Sequence, residues 1–181
     1  MNITIHAGHN PDGKIACGAS DYLMESTEAR KLVALIKKYL KGTKVNVVDI
    51  TVNNGKNQND VLAKLVKKAN LWNVHMHVSI HFNASTHDKG DGKTTGTEAY
   101  VYNQSGTAFK VATSVTQNLA KLGFKNRGVK DGRHLYFLRK TTAPALLIEV
   151  CFVTDKDDAL LYRANRSKVA RAITRAIIQY A

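Results

Sequence analysis

A chain of 181 residues, 44% of them apolar, is long enough to bury one core unaided. Its net charge of +13, from 27 basic against 14 acidic side chains, points to a polyanionic partner or surface. Two distant cysteines, Cys17 and Cys151, with no C-x-x-C pairing imply no disulfide framework. No run is apolar for long enough to cross a bilayer, and "MNITIHAGHN" lacks the basic and apolar regions of an export signal, so the expectation is a soluble protein made in the cytoplasm.

Taken in order, apolar alternation predicts a strand over Asn2–His6, and "HAGH" then sets His6 and His9 where that strand ends. "MESTEARKL" puts Glu25 and Glu28 in the first turn of a helix whose stripe is Leu32, Val33, Ile36, Tyr39 and Leu40. A strand over Lys44–Ile50 follows, then a helix with Leu62, Leu65, Val66 and Ala69. "HMHVSIHFNAS" predicts a strand over His75–Phe82, with His75, His77 and His81 opposite Met76, Val78, Ile80 and Phe82. The polar, glycine-rich stretch Thr86–Gly96 reads as a surface loop beside the site.

Beyond it come a strand over Thr97–Asn103 and a helix with Ala108, Val111, Ala112, Val115 and Leu119, stopped by Gly123. Strands over His134–Leu138 and Ala145–Val153 precede a last helix with Val169, Ala172, Ile173, Ala176, Ile177 and Tyr180. The alternation predicts a single α/β domain over residues 1–181: a mostly parallel, twisted sheet of about six strands with helices on both faces.

Glu149 stands alone in the apolar run "APALLIEVCFVT", and alternation would give it Leu147, Cys151 and Val153 as companions on one face. A carboxylate buried there must be neutralised, paired or near a metal. Open α/β sheets collect ligands at the carboxyl ends of their strands, where His9 and His81 both fall. Two histidines and one carboxylate, with a fourth position for water, make the ligand set of a hydrolytic zinc site. The carboxylate is Glu25 or Glu28, either of which could instead complement the helix dipole. His75 and His77 are rivals, since an H-x-H pair spans about 6–7 Å along a strand and can grip one ion. His77 and His81, about 13 Å apart, cannot do so without a bend. His81 is favoured because His75 lies at the entering end of its strand. H-E-x-x-H is absent, and Cys151 looks like core rather than a nucleophile.

The arrangement resembles the zinc-dependent N-acetylmuramoyl-L-alanine amidases of type 3, found among bacterial autolysins and phage endolysins. The resemblance rests on "GH" at Gly8–His9, Glu25 ahead of "KLVALIKKYL", "KKANLWNVHMHVSIHFNAS" from Lys67, "GTEAYVY" from Gly96, "NRGVK" from Asn126, and "LYFLRKTTAPALLIEVCFVTDKDDALL" from Leu135. It implies His9, Glu25 and His81 as ligands of Zn2+ and Glu149 as the catalytic carboxylate, cleaving the amide between the lactyl group of N-acetylmuramic acid and L-alanine of the stem peptide. The family often has Asp-Pro before its Gly-His and Asn four residues after the ligand glutamate. Here His6, Ala7 and Ala29 stand there, leaving His6 without a family role.

The expected partner is bacterial peptidoglycan, with anionic wall polymers attracted by the basic clusters Lys37–Lys41, Lys64–Lys68 and Arg163–Arg175. Nucleic acid is not expected, because those clusters lack interleaved aromatics and no nucleic-acid motif is present. Without an export signal the expectation is a phage endolysin acting at the wall after release, its chain the catalytic domain of a longer protein with a wall-binding module. Two alternatives remain: a zinc peptidase or carboxypeptidase acting on another amide, and a non-enzymatic basic module binding wall or nucleic acid.

Overall fold

The computed structural model describes residues 1–87 and 95–181, so the predicted loop at Thr86–Gly96 falls for the most part outside the described residues. Among them, six strands form one sheet: β1 Asn2–Ala7, β2 Asn46–Asp49, β3 Met76–Asn83, β4 Thr97–Val101, β5 Asn126–Asp131 and β6 Ala145–Phe152. Their order is β2-β1-β3-β6-β4-β5. Only the β4–β6 pair is antiparallel. The helices are α1 Glu25–Leu40, α2 Gln58–Ala69, α3 Gly106–Ala120, α4 Tyr136–Lys140 and α5 Lys156–Gln179.

Alternation sorts the side chains onto two faces. Ile3, Ile5 and Ala7 of β1, Met76, Val78 and Ile80 of β3, and Leu146 and Ile148 of β6 form the larger core, with Leu32 and Ile36 of α1, Val111 of α3 and Ile173 of α5. On the other face a smaller core holds Val61 and Leu65 of α2, Phe137 and Leu138 of α4, and Leu147 of β6. The predicted α/β sheet with helices on both faces is therefore the one observed.

Two expectations change. His134–Leu138 is not a strand: Tyr136–Lys140 forms the short helix α4, and the edge strand is the polar segment Asn126–Asp131. Phe137 and Leu138 are adjacent and both buried against the sheet, which a half-turn of helix allows and a strand, with its opposed side chains, does not. Nor do Cys151 and Val153 share a face with Glu149. His81 pairs with Glu149 but Asn83 pairs with Phe152, so β6 carries one extra residue, and consecutive Val150 and Cys151 both enter the larger core.

The smaller face is not wholly apolar. Thr4 pairs with His77 and His6 with Ser79 across β1 and β3, all four buried, with the edge of Phe137 4.5 Å from the His6 ring between centroids. His77 Nδ1 lies 2.7 Å from Thr4 Oγ1. Burial pushes His6 down to about 3, helped by His81, and His77 down to about 4.

An unfolded histidine titrates near 6.5, so between pH 6.5 and about 4 the unfolded chain takes up protons that the folded chain refuses. The stability contributed by these two neutral rings is therefore complete above pH 6.5 and falls with acidification, by about 1.4 kcal/mol per pH unit for each. Urea unfolding of the metal-free protein between pH 7 and 5 should show a shallower pH slope for His77→Leu than for the parent, by one ring's share. Equal slopes would contradict the burial of a neutral His77.

Candidate metal centre

The carboxyl end of β1 turns out of the sheet through Gly8, and His9 adopts a left-handed backbone with φ of 61°. Gly8 is required there. A Cβ at that position would lie 2.2 Å from Cε1 of the His81 ring, so any larger residue must displace that ring. Arg30, one turn into α1, knots the segment. Its guanidinium donates to the carbonyls of Gly8, Ser26, His9 and Val52 at 3.3, 3.0, 2.8 and 3.1 Å, and to Asn53 Oδ1 at 2.8 Å. Buried Asn10 ties the same loop to both the N–H and the carbonyl of Gly55.

Glu25 opens α1 and is buried at 4% exposure. Its Oε2 accepts from the N–H of Ala19, and its Oε1 accepts from the N–H of Phe82 at the top of β3. That same Oε1 lies 3.2 Å from His9 Nε2 and 3.0 Å from His81 Nδ1. Burial alone would push the Glu25 carboxyl up, but contacts with His81 and His9 outweigh it and hold it well below the usual carboxylate range. Burial would push His9 down, and Glu25 reverses that too, raising it.

The His9 Nδ1–H donates to Gln58 Oε1 at 3.2 Å, which fixes the ring orientation and turns Nε2 toward Glu25. One ligand atom from each of His9, Glu25 and His81 lies within 4.8 Å of the others. Tetrahedral zinc, bound at about 2.1 Å, spaces its donors about 3.4 Å apart, so the donor set and its spacing fit such an ion after small side-chain adjustments.

Glu149 sits beside this cluster on β6, in register with His81 on one side and Glu98 of β4 on the other. Its Oε2 is buried without a hydrogen-bond partner among the described residues. Burial pushes this carboxyl far up, and the charges of Glu25 and Glu98 push it further.

The other candidates go elsewhere. Glu28 is engaged between α1 and α5 by the Tyr162 hydroxyl, Arg166 and Lys31. His75 accepts from the Asn2 N–H at the opposite end of the sheet, so the H-x-H pair makes no cluster. Cys151 is buried in the larger core. Sequence reasoning overlooked Arg30 and Gln58. Neither carries a motif, and the only signal for Arg30 was a cation beside the helical stripe without a predicted acidic partner.

An open α/β sheet with two histidines and a carboxylate gathered at the strand ends is an arrangement that could hold a metal ion. A family model described as N-acetylmuramoyl-L-alanine amidase matches residues 3–179, and the chain belongs to that family, whose members are generally zinc-dependent. An uncharacterised protein of Clostridium perfringens is 38% identical over 90% of this chain and 47% of its own length. The endolysin of Bacillus phage SPP1 is 29% identical over 90% of this chain and 59% of its own. Among solved structures, the catalytic domain of the CD27L endolysin, targeting Clostridia difficile, superposes with a TM-score of 0.87 at 23% identity, covering 99% of this chain and 97% of that one. The chain spans about half the length of the C. perfringens relatives it matches.

Two substitutions test this geometry. Gly8→Ala should abolish binding of one zinc equivalent, read by competition with a chromogenic chelator, because its methyl occupies the His81 ring position. Arg30→Lys keeps the charge but loses the fork that grips several carbonyls, and should weaken zinc binding about tenfold while secondary structure by circular dichroism is retained.

Proposed function

We propose that the chain hydrolyses the amide between the lactyl group of N-acetylmuramic acid and L-alanine in bacterial peptidoglycan, with Zn2+ held by His9, Glu25 and His81. The observation that carries this reading is Glu149: a carboxyl with one oxygen buried and unpartnered, on the strand next to a three-donor cluster. When bound, zinc supplies a Lewis acid that polarises the scissile carbonyl and acidifies water.

The chain's own residues do the rest. Glu149, with its proton affinity raised, accepts a proton from the attacking water and returns it to the leaving nitrogen of L-alanine. The electron pair of the broken C–N bond stays on that nitrogen, so the products are a free lactyl carboxylate and a new L-alanine amino terminus. Gln58 and Arg30 hold His9 in place, and the N–H groups of Ala19 and Phe82 hold Glu25, so the donors need not reorganise during turnover.

In this reading residues 1–181 are the catalytic domain of a wall hydrolase. The reading is supported by matches that cover most of this chain but about half of each C. perfringens relative. Among the described residues no helix is long and apolar enough to cross a membrane. Arg163, Lys168, Arg171 and Arg175 lie exposed on α5 and suit adhesion to anionic wall polymers, which predicts lytic activity that falls with rising salt.

On purified peptidoglycan the protein should release fragments with new L-alanine amino termini, lose activity in chelator and regain it with zinc. Glu149→Gln should retain zinc and lose at least a hundredfold in rate. Release of single terminal amino acids would instead indicate a peptidase, and near-parental activity of the variant would remove Glu149 from the mechanism.

A further inference from the structure

The segment "NRGVK" has no part in the metal centre, yet the fold aims it at the neighbouring row of the same sheet face. Arg127 and Lys130 are three residues apart, an odd spacing that puts side chains on opposite faces of a regular strand. They are brought together by a bulge. Thr97 pairs with Asn126 but Ala99 pairs with Val129, so Arg127 and Gly128 together oppose the single residue Glu98. Gly128 takes φ of +79°, a left-handed conformation that glycine adopts without steric cost.

The result is that both cations reach Glu98: Arg127 Nε at 2.8 Å and Lys130 Nζ at 2.9 Å from its Oε2. Tyr100 and Asn83 donate to the other oxygen, Oε1. Burial works against ionisation of Glu98, but Lys130, Arg127 and Tyr100 outweigh it and hold the carboxyl below its ordinary range. Two positive charges thus meet one negative charge, leaving an excess of one.

This group lies directly beside Glu149, since Glu98 and Glu149 are cross-strand partners. The helix α3 packs on the opposite face of β4 and β5, while α2 and α4 pack together, with α4 against β6. Neither α2 nor α4 packs extensively on β4 or β5 among the described residues. Side chains of Arg127 and Lys130 remain 27% and 39% exposed, and Arg127 is steadied by the Phe152 ring, 5.0 Å away, and by the Thr95 carbonyl. Among the described residues, therefore, no helix packs extensively over this face of the row from Glu149 to Glu98, and Glu98, itself 2% exposed, lies beneath a pair of fixed, half-exposed cations.

We propose that Arg127 and Lys130 form a carboxylate-binding subsite for the acidic residue that follows L-alanine in the stem peptide. The assignment rests on the amidase reading above. In a peptide whose alanyl amide lies at Glu149, the next residue lies about one residue's length further along, and its free carboxylate meets the excess positive charge. Glu98 fixes the two side chains in advance, so little rotamer freedom is lost on binding. Its own negative charge repels a carboxylate that approaches from the Glu149 side, which favours binding at the outer edge, on β5.

The test compares two soluble substrates, N-acetylmuramoyl-L-alanyl-D-glutamate and the same peptide with both carboxyls of its second residue amidated. The parent protein should favour the free carboxylate about tenfold in KM, the worth of one charge-assisted hydrogen bond at a half-exposed site. Lys130→Met, which leaves Arg127 on Glu98, should bring the KM ratio of the two peptides close to one, and Lys130→Glu should take it below one. A merely structural salt bridge would move both KM values together and leave the ratio unchanged. Hydrolysis of both peptides by the parent without preference, or an unchanged ratio in both variants, overturns the subsite alone. Hydrolysis of neither peptide overturns the amidase reading and the subsite with it.

Discussion

One buried carboxylate organises this molecule. Glu25 is held at the start of α1 by the N–H of Ala19, reaches the N–H of Phe82 at the top of β3, and meets an imidazole from each of two neighbouring strand ends. An ionised group at 4% exposure persists only when every lone pair has a donor or a cation, and here backbone N–H groups and two rings supply them. Helix α1, strand β1 and strand β3 consequently meet at a fixed point. Arg30 closes the same knot from the solvent side by gathering carbonyls of the loops after β1 and β2.

A second constraint is the interruption of regular pairing. Without its bulge β6 would send Cys151 to the side of Glu149; with it, Val150 and Cys151 both enter the larger core, and Phe152 returns to stack beneath Arg127. The bulge in β5 brings Arg127 and Lys130 to one face. Both irregularities fall at or next to the row His81–Glu149–Glu98, so the sheet is regular where it builds the core and irregular where it presents chemistry. Four carboxylates and cations from β4, β5 and β6 are thereby aligned beside the candidate metal centre. The proton affinities of Glu149 and Glu98 diverge accordingly, one surrounded by negative charge and the other clasped by positive.

What the chain order made readable was period and position. Apolar alternation marked Ile3, Ile5, Met76, Val78 and Ile80 as the core face, and the 3.6-residue stripe through Leu32 and Ile36 marked α1, because burial on one face imposes those periods directly. His9 and His81 were legible as a pair because both fall at the carboxyl ends of strands, where an open sheet leaves room. The edge strand β5 escaped because Asn126–Asp131 has no apolar period: it is half-exposed and held by its partner β4. Helix α4 was mistaken for a strand because five residues are too few to show a helical period, and its placement is fixed by Phe137 against the rings of His6 and His77.

The sequence by itself determined the layered α/β architecture, the two faces of each regular strand and the residue types available for metal chemistry, since these follow from local periodicity and side-chain chemistry. The tertiary structure decided between Glu25 and Glu28, sending one to the histidines and the other to Tyr162 and Arg166. It also set His75 apart from the cluster, gave Arg30 its carbonyls and turned Arg127 onto the face of Glu98. Those choices depend on how distant segments meet and on where one extra residue shifts a strand's register, and a register shift leaves no trace in the pattern of a single strand.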